Sequence, residues 1–273
     1  MPLSKPHLAH ALALEWDLLT SAQQATRHHL VPLTSLVCRA IDIAEDDAAH
    51  AARPASETTR RGGDPSPFAP IRTSIATMLL RYLDTDSLLC WAPPPDPLSS
   101  HTDPETGDSL RARQERAAGE VVRFLTSEVW PGVEIEPVLD GGSIVPRGLK
   151  PGVREVVQGW VMGLEPWDLA GVERAALAGK GLLGAVRLVV EWSEGSAGRG
   201  LRASKDSDAV EEGAAKKFGV EEAAKVASIE VDWQTGRWGE VEDTHDVEKE
   251  DLRRQLGSVV LLVTGTGSGK QSH

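Results

Sequence analysis

The sequence has few of the features that mark nucleic-acid-binding, membrane-spanning or disulfide-bonded proteins. It contains 29 Lys or Arg against 41 Asp or Glu, and the resulting net charge of −12 argues against a basic stripe that could neutralise phosphates. No apolar run reaches the roughly 18 residues of a membrane-spanning helix, and the longest candidate, residues 257–263, is too short. Nucleic-acid binding and membrane insertion are therefore not expected.

Cysteine is also scarce, since the chain has only Cys38 and Cys90. Two cysteines cannot by themselves build a disulfide framework or a zinc site, which suits a reducing compartment. Each lies in an apolar stretch, so we expect both to be small buried hydrophobic residues. A secretory signal peptide and an Arg-rich transit peptide are likewise missing at the start, so the protein is expected either to be processed or to continue upstream of this sequence.

Apolar residues recur at three- and four-residue steps, whereas the period-two alternation typical of strands is weak, and the sequence therefore predicts a mainly α fold. Proline at residue 166 divides the most apolar part of the chain, because it suits the first turn of a new helix. The predicted helices cover residues 5–25, 32–45, 71–83, 109–129, 153–165, 166–192, 220–233 and 246–263. Small residues between the apolar positions of 166–192 permit close helix approach, which makes that segment the predicted central helix.

Three stretches are too polar, or too rich in Pro, Gly or Ser, to pack well: residues 46–70, 93–108 and 193–217. We interpret them as low-order insertions in one helical domain, residues 1–263, and expect residues 264–273 to form a disordered tail. The tail resembles a phosphate-binding loop, but Thr264 and Gln271 occupy positions where that loop requires glycine and Ser or Thr. Only three residues follow Lys270, too few for the helix that would bind the phosphates, so no nucleotide site is expected.

An acidic segment, residues 238–246 (WGEVEDTHD), is the densest polar cluster beside an aromatic residue. One interpretation is a metal site that uses His245 and Asp246, as in a metal-dependent phosphohydrolase, although the further His and the distant Asp of such enzymes are missing. A second is structural, because acids in the first turn of a helix stabilise its dipole by about 0.3–1 kcal/mol each. The third is a surface that binds another protein.

Tryptophan is unusually frequent, with eight copies against three Phe and one Tyr. Trp16, Trp160, Trp167 and Trp192 fall in helical apolar stripes and are predicted to lie in the core. Trp238, beside the acids, suits either a core position or an exposed anchor, since Trp is favoured at the centres of protein interfaces. The remaining residues offer no catalytic constellation and no cofactor site, so the chain is not expected to be an enzyme.

Several segments, taken in order, resemble the assembly factor 2 family of mitochondrial and α-proteobacterial F1-ATPase biogenesis. They are residues 14–17 (LEWD), 32–36 (PLTSL), 40–42 (AID), 82–86 (YLDTD), 167–169 (WDL), 237–246 (RWGEVEDTHD) and 251–254 (DLRR). The resemblance implies an orthogonal helical bundle in the mitochondrial matrix, without the β-rich domain that precedes the LEWD helix in most members. It also implies a chaperone that uses no nucleotide, binds the free α subunit of F1 and shields the β-facing interface of that subunit until β displaces it.

By the same analogy, the contact with the α subunit lies on the acidic segment. Its expected residues are Trp238 as the anchor, with Glu240, Glu242, Asp243 and Asp246 facing basic residues of the partner. Four other residues are expected to support the fold: Trp16, Asp84, Asp86 and His245.

Overall fold

A computed structural model describes residues 5–27, 29–52, 70–95, 102, 107–143, 145–202, 217–239 and 245–265. Its helices are α1 Pro6–Asp17, α2 Pro32–Ala51, α3 Ile71–Asp84, α4 Leu110–Phe124, α5 Val153–Met162, α6 Pro166–Gly179, α7 Leu183–Trp192, α8 Val220–Ala227, α9 Ile229–Trp238 and α10 His245–Val263. Short 3-10 turns cover Ala22–Thr26 and Ser87–Leu89, and one π-helical turn, Leu125–Val129, extends α4. No strand occurs in these ranges, and the mainly α prediction is confirmed.

Helix α6 lies at the centre of the fold, in contact with α2, α7 and α10. Eight of its residues are buried, from Asp168 to Ala176. Gly171 allows α10 to come close, because a Cβ atom at that position would stand 2.8 Å from Cγ1 of Val263. The small residues that favoured a central helix thus do have the expected effect on packing.

The prediction of one helix from residue 166 to residue 192 is wrong, since the chain breaks between α6 and α7. Lys180 ends α6 in the left-handed conformation, with φ 54°. The carboxylate of Asp86 then accepts hydrogen bonds from the backbone N–H groups of Leu182 and Leu183, at 2.7 and 2.8 Å. A residue distant in sequence therefore caps α7, and the apolar periodicity of the segment contains no sign of that cap.

Other boundaries also differ from the sequence-based expectation. Helix α2 continues through Ala51 rather than ending at residue 45, and Gly236 lies inside α9 rather than in a turn. The first helix ends at Asp17, and a separate 3-10 turn follows it. Residues 53–69, 203–216 and 266–273, which contain much of two predicted insertions and of the tail, lie outside the described residues.

Part of the predicted insertion 193–217 is packed rather than low-order. Ser193 is buried, and Ala197 and Leu201 pack against the core. The buried carboxylate of Asp168 holds this segment, accepting hydrogen bonds from the Ser193 hydroxyl at 2.7 Å and from the Ala197 N–H at 2.9 Å. The polar composition of the segment gave no sign of these hydrogen bonds, because the carboxylate that accepts them lies in α6.

The predictions for cysteine and tryptophan were only partly right. Cys38 is exposed and Cys90 is partly buried, so neither is the fully buried hydrophobic residue that was expected. Trp160, Trp167 and Trp192 do pack against the core, but Trp16 keeps 49% of its surface exposed, so its core assignment is wrong. Within the described residues, no helix is both long and apolar enough to cross a bilayer.

Candidate functional site

The predicted anchor Trp238 lies on the surface. It is the last residue of α9, with 75% of its surface exposed, so the alternative of a core position is wrong. Asp246, in the first turn of α10, is also exposed. Glu240, Glu242 and Asp243 lie between these two helices and outside the described residues, as does the side chain of His245.

The end of α9 is shaped by Gly239. Its φ of 86° belongs to the left-handed region that favours glycine, and its N–H donates to the carbonyl of Thr235 at 2.8 Å. The guanidinium of Arg237 lies 5.8 Å from the centre of the Trp238 ring. The turn therefore leaves the indole at the end of a helix, beside a cation and ahead of the acidic residues.

Helix α10 is fixed at one end and exposed at the other. Leu256, Val259 and Leu262 are buried. The ammonium of Lys5 donates to the carbonyls of Leu262 and Thr264, at 3.0 and 2.8 Å, and so satisfies carbonyls that a helix end leaves without partners. Asp246 and its neighbours thus project from a helix whose other half belongs to the core.

A groove lies next to the exposed half of α10. It has a volume of about 540 Å³ and runs between α6, the junction of α8 with α9, and α10. Its lining includes Arg174, Leu177, Lys180, Val231, Glu248 and Asp251. We refer to it as the α6–α10 groove.

Two further cavities share lining residues with the α6–α10 groove. One, of about 520 Å³, shares Arg174 and Leu177 with it and reaches the ring of Trp16. The other, of about 580 Å³, shares Asp251 and reaches Asp246 and Val247. Sequence reasoning missed this surface because its residues come from separate helices; the exposed apolar positions could be found only once the helices were packed.

The LEWD segment caps a neighbouring helix, a role that the sequence did not reveal. The carboxylate of Glu15 accepts hydrogen bonds from the backbone N–H groups of Leu33 and Thr34, at 2.7 and 2.8 Å, and from the Thr34 hydroxyl at 2.6 Å. Glu15 therefore caps α2, whose own N-cap residue, Val31, has no side-chain acceptor. Trp16 donates its indole N–H to the same hydroxyl at 2.8 Å.

The two aspartates expected to support the fold have very different surroundings. Asp84 forms an exposed ion pair with Arg154, at 2.6 Å. Asp86 has only 1% of its surface exposed and accepts from Leu88 N–H at 3.0 Å in addition to its two bonds with α7. Burial raises the pKa of Asp86 above its ordinary value, although the three N–H donors act in the opposite direction.

Comparison with known proteins identifies the family. The model of the family described as ATP12 chaperone protein matches residues 1–126. The protein ATP12, mitochondrial, of Saccharomyces cerevisiae is 31% identical over 269 residues, which cover 94% of this chain and 71% of that protein. The chain belongs to the ATP12 chaperone family. The sequence resemblance to the F1-ATPase assembly factor 2 family is thereby confirmed.

Further relatives agree with this assignment. The protein atp12, mitochondrial, of Schizosaccharomyces pombe is 26% identical over 262 residues, covering 96% of this chain and 70% of that protein. The crystal structure of Atp12 from Paracoccus denitrificans aligns with a TM-score of 0.56 at 16% identity, over 95% of this chain and 82% of that one. At this identity the structural likeness shows the fold alone.

Family membership makes this ATP12-family chain a chaperone rather than an enzyme, and it supports the expected role in ATP synthase assembly. The hypothesis of a phosphohydrolase built on His245 and Asp246 is set aside for the same reason. No group of three His, Cys, Asp or Glu side chains that could hold a metal ion occurs in the described part of the chain, which does not include Glu240, Glu242 or the side chain of His245. The two yeast relatives are named as mitochondrial, which supports a mitochondrial location for this ATP12-family chain.

Proposed function

We propose that this chaperone binds the free α subunit of F1 in the mitochondrial matrix and shields its β-facing interface until the β subunit displaces it. The observation that carries the proposal is the exposure of Trp238, 75%, at the edge of the acidic segment. A large aromatic residue that is exposed and adjacent to charged residues is typical of a protein interface rather than of a hydrophobic core.

The chemistry of the task suits such a site. A subunit that belongs to a ring exposes large apolar interfaces before assembly, and those surfaces aggregate. A chaperone must cover them and still release the subunit to its permanent partner. One aromatic anchor next to an acidic segment of the sequence meets both needs, because surface charges guide association with a basic partner without making release slow.

Purified α subunit, kept free of β, provides the direct test. Addition of the chain should suppress the light scattering of aggregating α subunit without any nucleotide, and subsequent addition of β should release it. Failure of the wild-type chain to form a complex with α or to reduce scattering would overturn the proposal.

Two pairs of variants locate the contact. Trp238→Ala should weaken binding of the α subunit by about tenfold or more, as truncation of an interface anchor does. Val145→Ala, which truncates another apolar side chain with 68% exposure, should leave binding unchanged. Glu240→Lys should weaken binding, whereas Glu45→Lys, a charge reversal at an exposed position of α2, should not. Equal effects within either pair would show that the acidic segment is not the contact.

The matrix location has its own test. A fluorescent fusion of the complete gene product, followed by protease treatment of mitochondria before and after rupture of the inner membrane, should show protection until that membrane opens. Digestion after rupture of the outer membrane alone would place the protein in the intermembrane space and contradict the proposal.

A further inference from the structure

The α6–α10 groove has an apolar floor that no part of the described chain covers. Leu177 and Val231 keep 43% and 40% of their surfaces exposed. Leu177 stands out in α6, because that helix buries eight other residues in the core. Leu177 is exposed because the groove separates it from α9 and α10, where a neighbouring side chain would otherwise pack.

The two sides of the α6–α10 groove differ in charge: the charged residues on the α6 side are both cations, whereas the α10 side carries two acidic residues and one lysine. Arg174 and Lys180 lie on the α6 side, and neither forms an ion pair with another described residue. Arg174 has a single hydrogen bond of 3.3 Å to the hydroxyl of Ser35, whereas the adjacent carboxylate of Glu173 is held by Arg39 at 2.7 Å. The cations of this side are therefore available to an acidic group that enters the groove.

Two acidic side chains line the opposite side, together with Lys249, whose ammonium is paired with Asp232 at 3.6 Å. Glu248 is exposed and forms no ion pair with another described residue, and Asp251 follows it one turn later on α10. The adjoining cavity of about 580 Å³ shares Asp251 with the groove and is also lined by Arg254 and by Asp246, which belongs to the contact proposed above. The groove and Asp246 of the proposed contact thus share helix α10.

We infer that the α6–α10 groove binds an amphipathic segment of the same client protein. The apolar side chains of that segment lie on Leu177 and Val231, its acidic side chains face Arg174 and Lys180, and its basic side chains face Glu248 and Asp251. The inference rests on the proposed function and adds a second, mixed-charge contact to it. A second copy of this chain is a poor occupant, because two chains that each carry a net charge of −12 repel one another.

Site-specific crosslinking tests the occupant. A photoreactive amino acid at position 177 should form an adduct with free α subunit, whereas the same amino acid at position 156 should not. Val156 is a matched control, since it also has 43% of its surface exposed but lies on α5 and does not line the groove. An adduct of residue 177 with a second copy of this chain, or equal α-subunit adducts at both positions, would overturn the inference.

Substitutions separate this inference from the proposed function. Leu177→Asp should weaken binding of the α subunit by about tenfold while Val156→Asp leaves it unchanged, both with unaltered helical circular dichroism. Lys180→Glu should weaken binding, and Arg123→Glu, at an exposed position of α4, should not. If Trp238→Ala abolishes binding while Leu177→Asp and Lys180→Glu bind as wild type, the groove inference fails and the proposed function stands. If the wild-type chain does not bind the α subunit, both fail.

Discussion

Replacement of Asp86 by alanine should destabilise the protein severely, because this residue is buried in the turn after α3 and holds that turn to α7. Its carboxylate accepts three backbone hydrogen bonds, from Leu88 at 3.0 Å, Leu182 at 2.7 Å and Leu183 at 2.8 Å. These bonds tie the turn after α3 to the start of α7. Alanine would leave all three donors without an acceptor in a buried place.

The expected magnitude follows from those three donors. A buried donor that loses its partner costs about 1–3 kcal/mol. A cavity of about 20 Å³ already adjoins Asp86, so a water molecule could enter after truncation and satisfy one of the N–H groups. We therefore expect Asp86→Ala to lower the free energy of unfolding by about 3–5 kcal/mol.

Urea denaturation at pH 7, followed by circular dichroism, measures this loss. Asp84→Ala is the matched control two residues away: its ion pair with Arg154 is exposed, with 43% of the Asp84 side chain accessible, and should contribute about 0–1 kcal/mol. A loss below about 1 kcal/mol in Asp86→Ala, or equal losses in both variants, would refute the assignment of Asp86 as the cap of α7.

The pH dependence of stability provides a second test of Asp86. Burial raises its pKa in the folded state above the unfolded value, so the folded protein binds more protons between those two pKa values. The stability contributed by this group is therefore complete below about pH 4 and is lost as the pH rises through the folded-state pKa. The amide of Asp86→Asn does not titrate. The free energy of unfolding of the wild type, relative to that of Asp86→Asn, should therefore decrease as the pH rises through the folded-state pKa of Asp86. An opposite slope would contradict the direction of the pKa shift.

Three further predictions concern other anchored residues. Glu15→Ala should lower the free energy of unfolding, measured by urea denaturation, by about 1–2 kcal/mol, because α2 loses its capping carboxylate. An unchanged free energy of unfolding would show that α2 does not depend on this cap. Burial lowers the pKa of Lys5 in the folded protein, so the unfolded chain binds more protons between that pKa and about 10.4. The free energy of unfolding of the wild type should therefore increase with pH in this window, and the increase should be missing in Lys5→Met. Cys38 should react with a thiol reagent much faster than Cys90, because Cys90 is partly buried and burial raises its pKa. Similar rates of modification of the two cysteines, followed by mass spectrometry, would contradict the exposure of Cys38.

Exposed apolar residues and charges line three neighbouring cavities. The first and second share Arg174 and Leu177, the second and third share Asp251, and the third is also lined by Asp246 and Val247. Binding over a long surface by several modest contacts suits a chaperone, since each contact can be displaced in turn by the permanent partner. The proposed contacts at Trp238 and Leu177 are expected to act together in this way.

The sequence by itself determined the helical class, the position of most helices and the family. Apolar periodicity reports which face of a helix is buried, and the ordered motifs from LEWD to DLRR are specific enough to identify relatives. It also singled out Trp238 and the acidic segment as a candidate site, because the segment is the densest polar cluster beside an aromatic residue and because the family resemblance implies a partner contact there.

Only the tertiary structure decided which helices break, which residues cap them and which apolar residues remain exposed. The break between α6 and α7 depends on Asp86, nearly a hundred residues earlier, and the cap of α2 on Glu15, in another helix. Leu177 has the same periodicity as its buried neighbours in α6, but the packing of α9 and α10 leaves it open. Periodicity describes one helix at a time, whereas caps, grooves and exposure arise from contacts between helices.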